Sequence, residues 1–272
     1  MSVFLGITRE HVYSPGRVAD DSAILHLVAD ELRQEGHSVA VIGGDDERWP
    51  EPAAYTMVFA MCQGPRALER LQHWEARGVR IINRPDGILN CQRHRTLPAL
   101  VRAGTPFPES LLLETAAAPT LPAWIADGGA WVKRGDVHAT ESDDVVFVDS
   151  VATAHAALHR FHARRVAHAV VQRHVRGIVL KFYAVRGRFF HAVPPPGGSV
   201  LPPETLPRID ALGQDAARVL NVEVYGGDCV FAVNGALTLI DLNDWPSYAP
   251  CRSAAAKGIA AYLLAQHTAR DR

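Results

Sequence analysis

Three oxygen-bearing side chains near the C-terminal end of the chain have the types and spacing of a metal site. Asp241 and Asn243 alternate within the segment TLIDLNDWPSY, residues 238–248. Alternate residues of a β-strand point to the same face, so we expect these two side chains to lie side by side. Asp228 precedes Asn234-Gly235, a dipeptide typical of tight β-hairpin turns. Strand pairing around that turn brings Asp228 close to Asp241.

Two close carboxylates and an amide oxygen suit a hard divalent cation. Close carboxylates repel, and each raises the pKa of the other. Mg²⁺ relieves that repulsion, and it commonly takes one or two carboxylates while water and phosphate oxygens complete its octahedron. The alternative is that the polar residues only cap an irregular strand end. The register with Asp228 favours the metal site, so we predict Asp228, Asp241 and Asn243 as Mg²⁺ ligands.

Positive side chains stand at two further places where phosphate could bind. Lys133 ends the apolar stretch AWVK, and His138 follows across a short loop. Both can donate to a phosphate chain, although a lysine at a strand end is often only solvated. Lys181 lies within the apolar run VLKFYAV, where an unpaired buried lysine is costly. We expect Lys181 to face a cavity or an anion, or else to reach solvent from an edge strand.

Two weaker signals concern the N-terminal third. Gln63-Gly64-Pro65 follows a strand and opens a helix, so its amides have the geometry of an anion site or simply of a helix start. The turn Ser14–Arg17 offers Arg17 as a substrate contact, or is an ordinary loop. Neither a G-x-G-x-x-G nor a G-x-x-x-x-G-K-[ST] motif occurs, which argues against a dinucleotide-binding turn or a P-loop.

The periodicity of apolar residues predicts three successive units. The first alternates strands and helices, which is typical of a parallel sheet, with strands at 3–7, 38–42, 56–61 and 79–82. The second has a helix over 88–102 that Pro98 kinks or divides, strands at 111–113, 131–133, 145–149 and 168–172, and a helix at 152–164. The third has hairpins turning at Arg186-Gly187 and Asn234-Gly235, with strands at 179–185, 188–193, 229–233 and 238–242 and helices at 204–220 and 253–267.

The composition excludes some classes of protein. The 272 residues carry a formal net charge of −1, which argues against bulk electrostatic binding to nucleic acid or to an anionic membrane. No apolar run approaches the ~18 residues of a membrane span. The four cysteines lack C-x-x-C spacing and are expected to be reduced and mostly buried. We therefore expect a cytoplasmic protein with neither a nucleic-acid nor a membrane partner.

These segments, in this order, resemble the ATP-grasp superfamily. The resemblance covers essentially the whole chain and implies a mixed α/β and α+β architecture, the ATP-grasp fold with an N-terminal open parallel α/β (pre-ATP-grasp) domain. It implies three units, namely residues 1–90 for the pre-ATP-grasp domain, 91–176 for the central ATP-grasp subdomain and 177–272 for the C-terminal subdomain with the metal site.

The resemblance also implies roles for individual residues. Asp228 and Asp241-x-Asn243 match the family's metal-binding residues, and Lys133 matches a strand-end lysine that contacts ATP phosphate. Arg93 falls where the family has a second ATP-binding lysine, and Lys181 has a catalytic role. ATP and Mg²⁺ are thus the implied cofactors, with nucleotide contacts from Arg93, Lys133, His138, Lys181 and an adenine-binding linker made of Gln172, Arg173, His174 and Val175.

Two subfamilies compete. Asp20 before a helix and Ile82–Pro85 resemble the ribosomal-protein glutamate ligase group of carboxylate–amine ligases. His138–Ser142, Lys181 and the segment Ile240–Tyr248 resemble the inositol trisphosphate kinase group. The first implies a ligase that forms an acyl phosphate on a small-molecule or peptide substrate, and the second a small-molecule kinase. A nucleotide-binding pseudoenzyme is a third alternative, because the Gly-rich loop of many ligases is missing after Lys133. The acceptor and the oligomeric state stay open.

Overall fold

The protein is built from three four-stranded sheets that follow one another along the chain. A computed structural model describes residues 2–16, 18–117, 119–137, 141–195, 197 and 200–268. The sheets span residues 3–82, 110–173 and 178–244. Arg17 and His138, which the sequence offers as ligand contacts, lie outside the described residues.

The first sheet is parallel, as predicted, with the strand order β2-β1-β3-β4. Its buried, alternating strands present Phe4 to one face and Leu5 to the other, so helices cover both faces. Helix α1 and the last helix, α7 (Arg252–Thr268), pack on one face and α2 on the other. The elements are β1 (Val3–Ile7), α1 (Val18–Gln34), β2 (Ser38–Ile42), β3 (Met57–Ala60), α2 (Pro65–Ala76) and β4 (Ile81–Ile82), with short 3-10 helices at His11–Tyr13 and Pro52–Ala54.

The second sheet is antiparallel, with the order β5-β8-β6-β7. Helix α5 starts at a capping box in which the Ser150 hydroxyl accepts from the Thr153 amide, and its apolar face covers the sheet. The elements are α3 (Pro85–Asn90), α4 (Arg93–Arg102), β5 (Ser110–Glu114), β6 (Ala130–Arg134), β7 (Val145–Val148), α5 (Val151–Ala163) and β8 (His168–Arg173), with 3-10 helices at Ala123–Ile125 and Ser142–Asp144.

The prediction of a single helix over residues 88–102 is wrong. The chain forms two helices, α3 and α4, and breaks at Cys91-Gln92 rather than at Pro98, which lies inside α4. At the break, the Thr96 hydroxyl donates to the Asn90 carbonyl at 2.7 Å, so a side chain satisfies an acceptor at the end of α3. This break makes Arg93 the first residue of a new helix.

The third sheet is antiparallel, with the order β10-β9-β11-β12. Both predicted hairpin turns are present, with Gly187 and Gly235 at φ values of 64° and 79°, which glycine adopts without strain. The elements are β9 (Ile178–Val185), β10 (Phe189–Ala192), α6 (Thr205–Leu220), β11 (Val224–Phe231), β12 (Leu237–Asp244) and α7 (Arg252–Thr268).

A shared hydrophobic core joins the first and third units. Helix α7 packs beside α1, and Val185, Val224 and Trp245 belong to the same core. The predicted division at residues 90 and 176 therefore stays a prediction. All four cysteines are free thiols, and three of them are buried. Within the described ranges, no helix has the length and apolar character needed to cross a membrane.

Candidate functional site

A cleft of about 740 Å³ lies where the three units meet. Its walls come from the loop after β1, from strands β6 and β8 of the central sheet, and from strands β9, β11 and β12 of the third sheet. The cleft brings together ten of the site residues that the sequence predicts: Arg93, Lys133, Gln172, Arg173, His174, Val175, Lys181, Asp228, Asp241 and Asn243.

The register of β11 and β12 places Asp228 directly opposite Asp241. A β-bulge follows, because Cys229 pairs with Leu239 and leaves Ile240 as the extra residue. In a regular strand, Leu239 and Asp241 would share a face. The bulge changes the phase, so that Leu239 and Leu242 are both buried in the core while Asp241 and Asn243 line the cleft.

The bulge was not predicted, although the spacing of two leucines in the sequence indicates it. Strict alternation would put Leu239 on the same face as Asp241 and Asn243, and the three-residue spacing of Leu239 and Leu242 contradicts such alternation. β11 also begins at Val224, five residues before the predicted start at Cys229. Asp228 thus lies inside a strand, held by neighbours on both sides.

Each carboxylate of this pair contacts a cation. The Arg93 Nη2 atom lies 2.6 Å from Asp241 Oδ2, and both side chains are largely buried. On the more open side, Lys181 Nζ lies 3.5 Å from Asp228 Oδ1. Arg93, Lys133 and Asp241 are called the inner group below, and Lys181 and Asp228 the outer pair.

Burial raises the pKa of Asp228; Lys181 opposes the rise and the Asp241 carboxylate adds to it. A divalent cation would favour the ionised form of both carboxylates, so this environment fits one. The donors are all oxygens, as Mg²⁺ prefers. Across the described part of the chain, no group of three or more His, Cys, Asp or Glu side chains could hold a metal. A metal here therefore needs the Asn243 amide and ligand oxygens besides the two carboxylates.

Lys133 is not a solvated strand end. It lies in β6 between β7 and β8 and is only 6% exposed. Its ammonium donates to the carbonyl of Ile240, the bulge residue, at 3.0 Å. Burial lowers the pKa of Lys133 to about 8; Asp241 opposes this shift and Arg93 adds to it. Lys133 is thus a buried cation, and the nearby carboxylates of Asp241 and Asp228 offset part of the cost of burying its charge.

Lys181 lies on the open side of the cleft. It faces the cleft from β9, an interior strand, and pairs across the sheet with Asp228, while Leu180 and Phe182 point into the core. Its side chain, however, is 53% exposed. Lys181 thus faces both a cavity and an anion, Asp228, and it does so from an interior strand rather than from an edge strand.

The linker Gln172–Val175 runs along an apolar part of the cleft. The amides of Arg173 and His174 already donate to the carbonyls of Glu109 and Gly129, at 2.8 and 3.1 Å. The Val175 amide makes no hydrogen bond within the described ranges, so it is the amide left for a base. Apolar side chains beside the linker form a slot that suits a flat ring: Val145, Val175, Val179, Val230 and Ile240.

The N-terminal wall contains a network that was not predicted. Arg9 donates to Asp21 Oδ2 at 3.0 Å and to the Trp245 carbonyl at 2.8 Å, and the Ser14 hydroxyl donates to the same Asp21 oxygen at 2.6 Å. These contacts fasten the loop after β1 to the end of β12. They join residues up to 236 positions apart, and no local pattern reports such pairs.

The predicted anion site at Gln63-Gly64 is already filled by the chain itself. Both amides donate to the buried carboxylate of Glu10, at 3.0 Å each. A carboxylate at a helix N-terminus is stabilised by the unpaired amides and the helix dipole. The segment therefore starts α2 and binds no external anion in this arrangement.

Comparison with known proteins identifies the fold. No family model matches the chain, and no curated protein matches its sequence. Solved structures match over nearly the full length. D-alanine–D-alanine ligase from Bacillus anthracis, complexed with ATP, has 11% identity and a TM-score of 0.71, covering 99% of this chain and 100% of that one.

Two further solved structures are similar. A RimK-domain ATP-grasp protein from Sphaerobacter thermophilus has 18% identity and a TM-score of 0.68, covering 96% of this chain and 99% of that one. D-alanyl-alanine synthetase A from Vibrio cholerae has 12% identity and a TM-score of 0.72, covering 98% and 97%. The protein therefore has the ATP-grasp fold, which confirms the fold implied by the sequence resemblance. At these identities the likeness concerns the fold alone.

Proposed function

We propose that this protein is an Mg²⁺- and ATP-dependent carboxylate–amine ligase that acts through an acyl phosphate. The observation that carries the proposal is the convergence of a buried lysine with two opposed carboxylates and an amide in one cleft of an ATP-grasp fold. The similar structures include proteins named as ligases, one of them complexed with ATP. The acceptor is a small molecule or peptide rather than nucleic acid or a membrane, and the site of action is the cytoplasm.

The geometry supports a position for each part of the nucleotide. The adenine ring lies in the apolar slot beside Gln172–Val175, where the Val175 amide can donate to it. The phosphates then point toward Lys133 and Arg93, with Lys181 opposite. A phosphate contact from His138 stays a prediction from the sequence. These cations neutralise phosphate charge, and Arg93 can do so with two parallel N–H groups.

Mg²⁺ held by Asp228, Asp241 and Asn243 would neutralise charge on the transferring phosphoryl group. The chain's own residues position the reacting groups and supply positive charge to the phosphates. With the phosphates held by Lys133 and Lys181, a substrate carboxylate oxygen attacks the γ-phosphorus, and the bond from that phosphorus to ADP breaks. The amine nitrogen then attacks the acyl carbon, phosphate leaves with the acyl C–O bond electrons, and the nitrogen loses a proton. Lys181 is placed to stabilise the charge that spreads during phosphoryl transfer.

The charge of the cleft favours the ligase over a kinase for inositol polyphosphates. Among the described lining residues, five cations are balanced by five acidic side chains: Arg9, Arg93, Lys133, Arg173 and Lys181 against Asp21, Glu141, Asp228, Asp241 and Asp244. An acceptor with several phosphates needs an excess of positive charge. Arg9 is also engaged by Asp21 and a backbone carbonyl.

A substrate panel that reads ADP and phosphate separately tests the proposal. A ligase releases both in equal amounts, and only when an acid and an amine are both supplied. ADP release without phosphate, on a hydroxyl acceptor, would establish a kinase and overturn the proposal. Tight binding of an ATP analogue with no release on any acceptor would favour the pseudoenzyme.

A further inference from the structure

Arg93 connects three elements from the first position of α4. Its Nη1 donates to the Arg134 carbonyl at the end of β6, at 3.1 Å, and its Nη2 contacts Asp241 on β12. The third donor, Nε, is buried and has no hydrogen-bond partner within the described ranges. A buried donor without an acceptor is destabilising, so this guanidinium is not fully satisfied by its present partners.

Asp241 is at the same time one of the proposed metal ligands. Around the two carboxylates the described residues already place three cations, Arg93, Lys133 and Lys181. A divalent cation added there without a nucleotide would share the Asp241 carboxylate with Arg93, whose Nη2 lies 2.6 Å from Asp241 Oδ2. The guanidinium would then be largely buried next to a metal ion, and like charges repel strongly where water is excluded.

We propose that Arg93 exchanges partners when the nucleotide binds: its guanidinium moves from the Asp241 carboxylate to a nucleotide phosphate. Metal binding at Asp241 then depends on nucleotide binding. This inference rests on the proposed function, because it takes Mg²⁺ and ATP as the ligands. The contact from Nη1 to the Arg134 carbonyl serves as a pivot, since it can persist while Nη2 turns into the cleft that Arg93 lines. The dependence is reciprocal, so the metal also strengthens nucleotide binding.

Titration with Mn²⁺, followed by electron paramagnetic resonance, tests the exchange without measuring activity. The full chain and Arg93→Met are titrated with and without a non-hydrolysable ATP analogue, with the metal–analogue complex in solution accounted for. We expect Arg93→Met to bind Mn²⁺ at least about tenfold more tightly than wild type without nucleotide, because Asp241 is freed from a close ion pair. The analogue should enhance Mn²⁺ affinity about tenfold less in the variant than in wild type.

Two variants control for charge and for folding. Arg218→Met removes a cation that lies outside the cleft lining, whose side chain is 69% exposed and pairs with Asp215 at 2.8 Å. Its nucleotide-free Mn²⁺ affinity should stay within about twofold of wild type, because exposed charges are screened. Arg93→Lys retains the charge but has one ammonium for two partners, so we expect affinities between those of wild type and Arg93→Met. Urea unfolding verifies that each variant is folded.

The outcomes separate this inference from the proposed function. If wild type binds the analogue and Mn²⁺ but Arg93→Met binds Mn²⁺ no more tightly without nucleotide, the exchange is overturned and the proposed function stands. The same holds if Arg218→Met has an equal effect. If Arg93→Met does not fold, an unchanged nucleotide-free Mn²⁺ affinity in Arg93→Lys overturns the exchange. If wild type binds neither ligand, both proposals fall.

Discussion

The two lysines of the cleft have the same side chain, both lie on strands, and both are near a carboxylate, yet their environments are opposite. Lys133 belongs to the inner group, is buried between two strands of the central sheet, and donates to a carbonyl. Lys181 belongs to the outer pair and is half exposed. An ion pair in buried surroundings is strongly coupled, whereas water screens an exposed one. Equal formal charges should therefore have unequal effects on stability and on ligand binding.

The largest expected difference concerns the carboxylates of the two groups. Asp241→Asn should abolish Mg²⁺-dependent turnover, by about 10³-fold or more, because it removes a metal ligand. It should also lower the free energy of unfolding by about 3–5 kcal/mol, since Arg93 is left buried without its anion. Asp228→Asn should abolish turnover similarly but change stability by about 1 kcal/mol or less, because Lys181 can reach water.

Coupled turnover assays and urea unfolding measure both effects. Asp215→Asn is a matched control, because Asp215 is an exposed partner of Arg218 on α6 and lies away from the cleft lining. Wild-type turnover in Asp241→Asn at ordinary Mg²⁺ would show that Asp241 is not a metal ligand. Equal losses of stability in the two cleft variants would remove the distinction between the inner group and the outer pair.

Lys133 should matter most for nucleotide affinity. Lys133→Met should weaken binding of a non-hydrolysable ATP analogue about 10- to 100-fold, because a hydrogen bond to a charged group contributes about 1.5–3 kcal/mol. Isothermal titration calorimetry measures the change. The chain has three lysines, and Lys257, which is exposed on α7, is the one that lies outside the cleft. Lys257→Met therefore provides the control. Unchanged affinity in Lys133→Met would mean that the nucleotide phosphates lie elsewhere.

The buried lysine should also leave a signature in the pH dependence of stability. Burial lowers the pKa of Lys133 to about 8 in the folded protein, from its ordinary value of 10.5. Below pH 8 the ammonium is charged in both states, and its burial is fully destabilising. Between the two values the unfolded chain binds more protons, so this group makes the free energy of unfolding rise with pH, by up to about 1.4 kcal/mol per unit.

Urea unfolding of wild type and Lys133→Met at pH 8, 9 and 10 isolates that contribution, because other titrating groups are common to both proteins. The wild type should gain stability relative to Lys133→Met as the pH rises through this window. A constant difference between the two would show that Lys133 is hydrated or better compensated than its single carbonyl contact suggests.

The sequence was informative where the signals are local. The Asn234-Gly235 turn fixed the pairing that opposes Asp228 and Asp241, and buried apolar runs gave the parallel first sheet. The sequence did not predict features that depend on packing between distant segments. The bulge at Ile240 arises because Leu239 and Leu242 must both enter the core, which no turn dipeptide specifies.

The different exposures of Lys133 and Lys181 have a similar origin. Lys133 ends an apolar stretch and Lys181 lies within one, and neither pattern predicts how exposed the side chain is. Lys133 is covered because a third-sheet carbonyl, that of Ile240, lies against its ammonium across the cleft. Lys181 lies on the same third sheet but at the open side of the cleft. Burial of a strand residue depends on what the fold places in front of it, and a single sequence does not report that.

The smallest effect is expected for Lys181, and it tests whether an exposed cation can still contribute to catalysis. Lys181→Met should lower kcat about tenfold while changing analogue affinity about twofold or less, because its charge matters most when charge spreads over the moving phosphoryl group. Half exposure limits the loss, since water can replace part of the stabilisation. Lys181→Arg should retain most of the activity if the site resembles the carboxylate–amine ligases, and little of it if the site is built around lysine as in a kinase. Steady-state kinetics on the acceptor found by the substrate panel, with Lys257→Met as the control, separates these cases. Full turnover in Lys181→Met would mean that Lys181 only pairs with Asp228 and that its own charge does not contribute to phosphoryl transfer.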